Sequence, residues 1–224
     1  MIKEKQNIQI ETTADGSNTL FIPQLNEHYH SVKGALTESE HIFIHMGLEH
    51  SPLSSVRLLE IGFGTGLNAF LTLLAAERLH KSIHYTGIEL YPLEENTIRR
   101  LGYPEIICPE RAEDYYRLHL CEWEQDSRIT TNFALHKIKG DFTEYQFAGN
   151  YDLVYFDAFA PEKQAEMWSQ ELFNSLYVIM NKGGILTTYC AKGVVRRMLQ
   201  SAGFTVERLP GPPQGKREIL RATK

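Results

Sequence analysis

The chain has 224 residues, 42% of them hydrophobic and 23% charged, which is the balance of an ordinary soluble globular protein. Residues 1–13 lack the apolar core of a signal peptide, and no stretch approaches the roughly 20 apolar residues of a membrane span, so we expect a cytoplasmic protein. The three cysteines are odd in number and far apart, which favours neither a disulfide framework nor a metal site.

The net charge of −5 is unevenly distributed along the chain. From Lys182 to the end there are nine Lys and Arg against two acids, a charge of +7, which leaves −12 for residues 1–181. A basic C-terminal part can bind a polyanion on one face, or it can be an ordinary solvated surface. The charge pattern leaves both readings open.

Residues 1–50 are predicted to form an N-terminal arm and a helix that pack on a Rossmann-like domain of residues 51–224. In the arm, residues 7–12 and 19–22 read as two short strands joined by a turn at Asp15-Gly16. Residues 37–40, Thr-Glu-Ser-Glu, are a capping box, which predicts that a helix begins there and continues through Met46.

From residue 56 onwards, strand patterns alternate with helix patterns. Strands are predicted over 56–61, 84–90, 132–139, 151–157 and 185–190, helices over 67–79, after Pro92, over 113–123, 167–180 and 194–202, and a closing hairpin over 204–209 and 218–222. Such alternation predicts a doubly wound α/β fold with a mostly parallel sheet. Seven strands with the last one antiparallel would be the arrangement of class I S-adenosylmethionine-dependent methyltransferases.

The sequence LLEIGFGTGLN, residues 58–68, joins the first of these strands to its helix. Its spacing is G-x-G-x-G, because Leu67 stands where a dinucleotide-binding loop has its third glycine. A P-loop is excluded as well, since no Gly-Lys-Ser/Thr follows. Glycines here allow a close backbone approach to a ligand, and the helix start offers free amides to a polar group.

Two carboxylates define the ligand further. Glu60 precedes the first glycine, where it would repel a pyrophosphate but accept the ammonium of an amino acid. Glu89 ends the next strand, the usual position for an acid that binds two ribose hydroxyls. A nucleoside joined to an amino acid is S-adenosylmethionine, which we predict as cofactor. Asp141, after the third strand, is placed to meet the adenine amino group, or it is a plain loop acid or a helix cap.

Four motifs in order resemble those of the methyltransferase domain of the MnmC family: EIGFGTGLN, YFDAFAP with a following MW, TYCAKGVVRRMLQSAGF and PGPPQGKRE. The resemblance runs from about Asn26 to Ala222. It implies methylation of the primary amine of 5-aminomethyl-(2-thio)uridine at the wobble position of tRNA. Bifunctional members continue into a flavin-dependent oxidase domain. This chain departs from them in length, because its 224 residues contain no second domain, so we expect a stand-alone methyltransferase.

The resemblance gives Asp157, at the end of the strand YDLVYFD, a catalytic role. An alkylamine with a pKa of about 10.4 is mostly protonated near neutrality, and it must lose a proton before it can accept a methyl group. Asp157 is placed to bind the amine, and Phe159 to stack on the uracil, with Pro161 stiffening the loop. The alternative is that Asp157 caps the next turn and Phe159 fills the core.

Tyr29 is expected to act as a lid, whereas His28 and His30 are interpreted as loop histidines. Lys163, Met167 and Trp168 are expected to form the outer edge of the pocket, and Trp168 fits a packed core residue equally well. The predicted cofactor residues are Glu60, Gly62, Phe63, Gly64, Thr65, Gly66, Asn68, Glu89, Asp141, Phe142, Asp157 and Tyr29. The predicted contacts to the substrate base and to the anticodon loop of tRNA are Phe159, Pro161, Lys192, Arg196, Arg197, Lys216 and Arg217.

Other functions fit parts of this pattern. A methyltransferase for a different amine, on a small molecule or a protein, needs the same pocket, and only the basic C-terminal part favours RNA. A non-catalytic module that binds S-adenosylmethionine or RNA would have no need of Asp157. A nicotinamide-dependent oxidoreductase is rejected on the glycine spacing.

Overall fold

The computed structural model describes residues 8–224. The described part of the chain starts with a small antiparallel sheet of β1 (Gln9–Thr12), β2 (Asn18–Ile22) and β3 (Glu27–His28). The predicted turn at Asp15-Gly16 joins β1 to β2, and residue 7 of the predicted first strand lies outside the described residues.

The first helix begins earlier than its sequence predicts, and it has a different cap. Helix α1 (Ala35–Ser39) continues into a wider π-type helix over Glu40–Leu48. Thr37 therefore lies inside the helix, and its amide and hydroxyl both donate to Asp15 Oδ2, at 2.9 and 2.7 Å. The predicted capping box is wrong, because the turn between β1 and β2 supplies the acceptors for the free amides of the helix start.

Eight strands form the main sheet, in the order β10-β11-β9-β8-β4-β5-β7-β6. They are β4 (Ser55–Ile61), β5 (Ser82–Glu89), β6 (Asp126–Arg128), β7 (Phe133–Lys139), β8 (Tyr151–Phe156), β9 (Met180–Thr188), β10 (Thr205–Pro210) and β11 (Glu218–Thr223). Strands β7, β5, β4, β8 and β9 are parallel, and β11 is antiparallel to both of its neighbours. The predicted reversal of the last strand is confirmed.

The sheet differs from the prediction in two places. A short edge strand, β6, pairs antiparallel with β7 and makes the described sheet eight-stranded rather than seven-stranded. Strand β9 begins at Met180 and includes Gly183-Gly184, which were predicted to form a turn. The pairing of β9 with β8 shifts its register in this part of the strand.

Helices cover both faces of the main sheet. They are α2 (Leu67–Arg78), α3 (Glu95–Leu101), α4 (Tyr103–Ile107), α5 (Ala112–Leu120), α6 (Gln170–Ile179) and α7 (Gly193–Ala202). Side chains of α2 and α5 share one buried cluster with the arm, and side chains of α6 and α7 share the other. No helix within residues 8–224 has the length and hydropathy to cross a membrane.

The arm contributes to the main core. Phe43 is 1% exposed, and its ring lies 5.0 Å from that of Tyr155 on β8. The predicted division of the chain at residue 50 stays a prediction, although side chains on both sides of it pack together.

In the main sheet, the strand order reverses between β4 and β8. The C-terminal ends of β4, β5, β7 and β8 meet at one edge, which is where ligands bind in open parallel sheets.

Candidate active site

The glycine loop follows β4 at this edge and leads directly into α2. Gly62 (φ +89°) and Gly64 (φ +48°) both adopt left-handed backbone conformations. A Cβ at Gly62 would lie 2.9 Å from the carbonyl oxygen of Asp157, and one at Gly64 would lie 3.1 Å from the Tyr29 ring. Glycine is therefore required where the arm and the loop after β8 close on this turn.

A cavity of about 300 Å³, the first cavity, opens beside the glycine loop. Most of the predicted cofactor residues line it, namely Tyr29, Gly62, Phe63, Gly64, Thr65, Asn68, Glu89, Asp141, Phe142 and Asp157. Lys163 and Met167 line it as well, whereas Trp168 is buried against Phe156 behind the wall. The structure thus brings together residues from four strand ends and from the arm.

Glu60 and Gly66 do not line the first cavity. Glu60 is 1% exposed, and its Oε1 accepts a hydrogen bond of 2.9 Å from Asn68 Nδ2. The same amide nitrogen donates to Asp157 Oδ2 at 2.8 Å. Burial raises the pKa of Glu60 well above its usual value. Glu60 therefore lies beneath the cavity and positions Asn68, which in turn donates a hydrogen bond to Asp157.

Glu89 ends β5 and lines the first cavity. Its two carboxylate oxygens accept hydrogen bonds from the amides of Gly64 at 2.9 Å and Tyr91 at 2.8 Å. Burial raises the pKa of Glu89, and these amides oppose the rise by favouring the ionised form. The carboxylate is thereby fixed against the glycine loop.

A second cavity, of about 560 Å³, lies on the other side of Asp157. Tyr29, His30, Asp157, Ala158 and Phe159 line both cavities. The rings of Tyr29 and Phe159 meet edge to face there, with centroids 5.1 Å apart. Asp157 is thus the carboxylate at the junction of the two cavities.

Burial raises the pKa of Asp157 to about 7. Repulsion from Glu38 adds to this effect, and the hydrogen bond from Asn68 and the charge of Lys216 oppose it. The carboxyl group can therefore exchange a proton near neutral pH.

Of the residues predicted to contact substrate, Phe159, Pro161, Lys192 and Lys216 line the second cavity. Lys192 forms an ion pair with Glu162, and Lys216 Nζ lies 3.4 Å from the centroid of the Tyr189 ring. The structure places Arg196, Arg197 and Arg217 outside both cavities, with Arg197 and Arg217 exposed.

Sequence reasoning missed three residues of the site: Glu38, Tyr189 and His30. Glu38 was assigned to the capping box and Tyr189 only to the strand over residues 185–190, yet both line the second cavity. His30 lies in a loop, as predicted, but it is buried, with its Nε2 2.8 Å from Thr65 Oγ1. His28, also predicted to lie in a loop, is the last residue of β3. Burial lowers the pKa of His30 to about 4, so it is neutral at pH 7.

The sheet order with the reversed β11, the glycine loop and the acid that ends β5 define a class I methyltransferase. A family model described as S-adenosyl-L-methionine-dependent methyltransferase matches residues 110–224, half of the chain. The chain belongs to this family. The predictions of fold class and of S-adenosylmethionine as cofactor are confirmed.

The relatives specify the family further. The tRNA 5-methylaminomethyl-2-thiouridine biosynthesis bifunctional protein MnmC of Magnetococcus marinus is 32% identical in an alignment that covers 91% of this chain. MnmC of Burkholderia mallei is 33% identical in an alignment that covers 90% of this chain. The chain spans about one third of the length of these relatives. The predicted resemblance to MnmC is confirmed.

Solved structures agree with this assignment. MNMC2 from Aquifex aeolicus superposes with a TM-score of 0.76 at 25% identity, covering 99% of this chain and 72% of that one. Spermidine synthase from Thermotoga maritima has a TM-score of 0.61 at 16% identity over 99% of this chain and 70% of that one, which shows the fold alone.

Proposed function

We propose that this chain transfers a methyl group from S-adenosylmethionine to the primary amine of 5-aminomethyl-(2-thio)uridine at the wobble position of tRNA. The product would be 5-methylaminomethyl-(2-thio)uridine. The observation that carries the proposal is the position of Asp157 between two cavities, one beside the glycine loop and one beside Lys192 and Lys216. The names of the MnmC relatives supply the tRNA substrate.

The first cavity suits S-adenosylmethionine, which supplies a methyl group on a positively charged sulfur when bound. Asn68 Oδ1 is buried and has no hydrogen-bond partner within residues 8–224, so it is available to the ammonium of the cofactor's amino acid part. Glu89 would bind the ribose hydroxyls. Asp141 and Phe142 would hold the adenine. Glu60 would act one step away, by orienting Asn68.

Asp157 is suited to accept a proton from the substrate ammonium. For a carboxyl group with the usual pKa of 3.8, the difference from an alkylamine at about 10.4 is about 6.6. With the pKa of Asp157 raised to about 7, the difference narrows to about 3.4, and each unit removed lowers the free energy of proton transfer by about 1.4 kcal/mol. The amine nitrogen, freed of its proton, would then have the lone pair it needs to accept the methyl group that S-adenosylmethionine would supply.

The second cavity would take the base. Phe159 and Pro161 give it an aromatic and a rigid wall, and Lys192 and Lys216 place cations at its rim for the anticodon-loop backbone. Arg196, Arg197 and Arg217, which lie outside the cavity, would bind phosphates further along the RNA. Tyr29 would close over the junction of cofactor and base.

The test is nucleoside analysis by mass spectrometry. Purified protein, S-adenosylmethionine and tRNA carrying 5-aminomethyl-2-thiouridine should yield the methylaminomethyl nucleoside. A strain lacking the gene should accumulate the aminomethyl nucleoside and lose the methylated one. An unchanged tRNA profile together with turnover of a small or protein-bound amine would favour the alternative amine substrate and contradict the proposal.

A further inference from the structure

Glu38 is a buried acid that the steps above do not use. It lies on α1 and is 8% exposed, and it lines the second cavity opposite the loop after β8. Its Oε2 accepts a hydrogen bond of 2.9 Å from the amide of Ser31. Its Oε1 is buried and has no hydrogen-bond partner in residues 8–224. A buried carboxylate oxygen without a donor is costly, so its position points to a ligand that donates.

The nearest cation does not satisfy this oxygen. Lys216 Nζ lies 3.7 Å from Glu38 Oε1, too far for a hydrogen bond, and it sits over the Tyr189 ring instead. Glu38 and Asp157 thus share a single lysine. Their proximity is felt electrostatically, since Glu38 helps to raise the pKa of Asp157.

Acids outnumber cations around the second cavity. The charged side chains that line it are Glu27, Glu38, Asp157, Glu218, Lys192 and Lys216. Lys192 pairs with Glu162, and Glu218 pairs with Arg208, so these two are already compensated. His28 pairs with Glu11, and His30 is neutral. The cavity therefore favours a ligand with a compact positive charge next to Glu38 and Asp157.

We propose that Glu38 is the second carboxylate for the substrate amine, an inference that rests on the proposed function. Glu38 Oε1 accepts a hydrogen bond from the ammonium as it enters, while Asp157 accepts its proton. Glu38, beside Lys216, stabilises the secondary ammonium that forms when the nitrogen lone pair bonds the methyl carbon and the sulfur takes the electrons of its broken bond. The site thereby selects a uridine that carries an amine over one that does not.

The test compares the binding of two tRNAs that differ only in the wobble base, one with 5-aminomethyl-2-thiouridine and one with 2-thiouridine. The wild-type protein should bind the tRNA with 5-aminomethyl-2-thiouridine about ten- to a hundredfold more tightly. This ratio of affinities corresponds to the free energy of one charge-assisted hydrogen bond. Glu38→Gln should lose most of that preference and leave the affinity for the 2-thiouridine tRNA unchanged. Glutamine still accepts from the Ser31 amide, so the local fold is retained.

Two controls separate recognition from a structural role. Glu40→Gln removes the same charge from an exposed position two residues away and should keep the full preference. The affinity of Glu38→Gln for S-adenosylmethionine, measured by calorimetry, should stay at the wild-type value, because Glu38 does not line the first cavity.

The pH profile gives an independent readout. Because the charge of Glu38 raises the pKa of Asp157 and that of Lys216 lowers it, Glu38→Gln should move the acidic limb of methylation to lower pH, and Lys216→Gln should move it to higher pH. If Glu38→Gln weakens the binding of both tRNAs equally, or leaves the preference for the amine-bearing tRNA unchanged, Glu38 is not the recognition group for the amine. A wild-type preference for the amine-bearing tRNA without methyl transfer would sustain Glu38 as its recognition group and reject the proposed reaction.

Discussion

The role of Asp157 predicts a pH dependence that can be calculated in advance. With a pKa of about 7, the carboxylate fraction is about one tenth at pH 6 and about nine tenths at pH 8. The rate of methyl transfer under saturating S-adenosylmethionine and tRNA should rise by about tenfold across this interval if only the ionised form accepts the proton. A carboxyl group with the ordinary pKa of 3.8 would be ionised throughout and would give a flat profile.

Asp157→Asn tests the same step by removing the acceptor. The variant keeps an oxygen for the hydrogen bond from Asn68, so the fold and the first cavity should persist. We expect kcat to fall by about a hundredfold or more, the usual contribution of a general base, while the affinity for S-adenosylmethionine stays within about twofold. Single-turnover assays with labelled cofactor measure the first quantity and calorimetry the second.

The matched control is Glu144→Gln, which removes an acid from an exposed position after β7 and should change neither quantity. Near-normal turnover by Asp157→Asn, or a wild-type rate that is flat between pH 6 and pH 8, would refute proton transfer to Asp157.

Three further predictions follow from the same geometry. Asn68→Ala removes the amide that donates hydrogen bonds to both Glu60 and Asp157. Urea denaturation at pH 8 should therefore show a free energy of unfolding lower by about 2–4 kcal/mol. A decrease below about 1 kcal/mol would contradict the role of Asn68 as their shared donor. Gly64→Ala puts a side chain on a residue with a left-handed backbone conformation and places its Cβ 3.1 Å from the Tyr29 ring. Calorimetry should therefore show about tenfold weaker binding of S-adenosylmethionine. An unchanged affinity would place the cofactor elsewhere. Reversing the charges of Arg196 and Arg197 should weaken tRNA binding and flatten its dependence on salt without affecting cofactor affinity, and a salt dependence identical to wild type would remove them from the RNA surface.

The parts of the site that the sequence predicted belong to local patterns. The strand ends that carry Glu89 and Asp157 follow apolar runs, and the glycine loop joins a strand to a helix, so each could be located without knowing what packs against it. Parallel strands then place these ends at a common edge. Local pattern and topology together located the strand ends that line the first cavity, but not His30, which the arm adds to it.

Glu60 shows a signal that was present but not used. Side chains alternate across a strand, so Glu60 points to the same face of β4 as Leu58, the face covered by α2, rather than to the ligand edge. Its partner Asn68 lies on that helix. Strand β6 could not be found this way, because three residues at a sheet edge carry no periodic pattern.

Glu38 could not be found from the sequence at all. Thr37-Glu38-Ser39-Glu40 fits a capping box, and only the tertiary contact of Asp15 with Thr37 shows that the helix begins earlier and that Glu38 faces the core. The distance of 119 residues between Glu38 and Asp157 leaves no local signal of their proximity. The second cavity is a product of packing between the arm and the sheet.

The arm is therefore part of the catalytic apparatus in the proposed reaction. Tyr29 and His30 line both cavities, Glu38 lines the second, and Lys163 Nζ ties the loop after β8 to the carbonyl oxygen of Leu25 at 2.9 Å. The sheet by itself supplies the carboxylates of Glu89 and Asp157 but leaves them open on the side that the arm covers. Since a carboxylate in open water would return to its ordinary pKa, the closure by the arm is what gives Asp157 a pKa near neutrality. The same packing that forms the second cavity thus also prepares the group that acts within it.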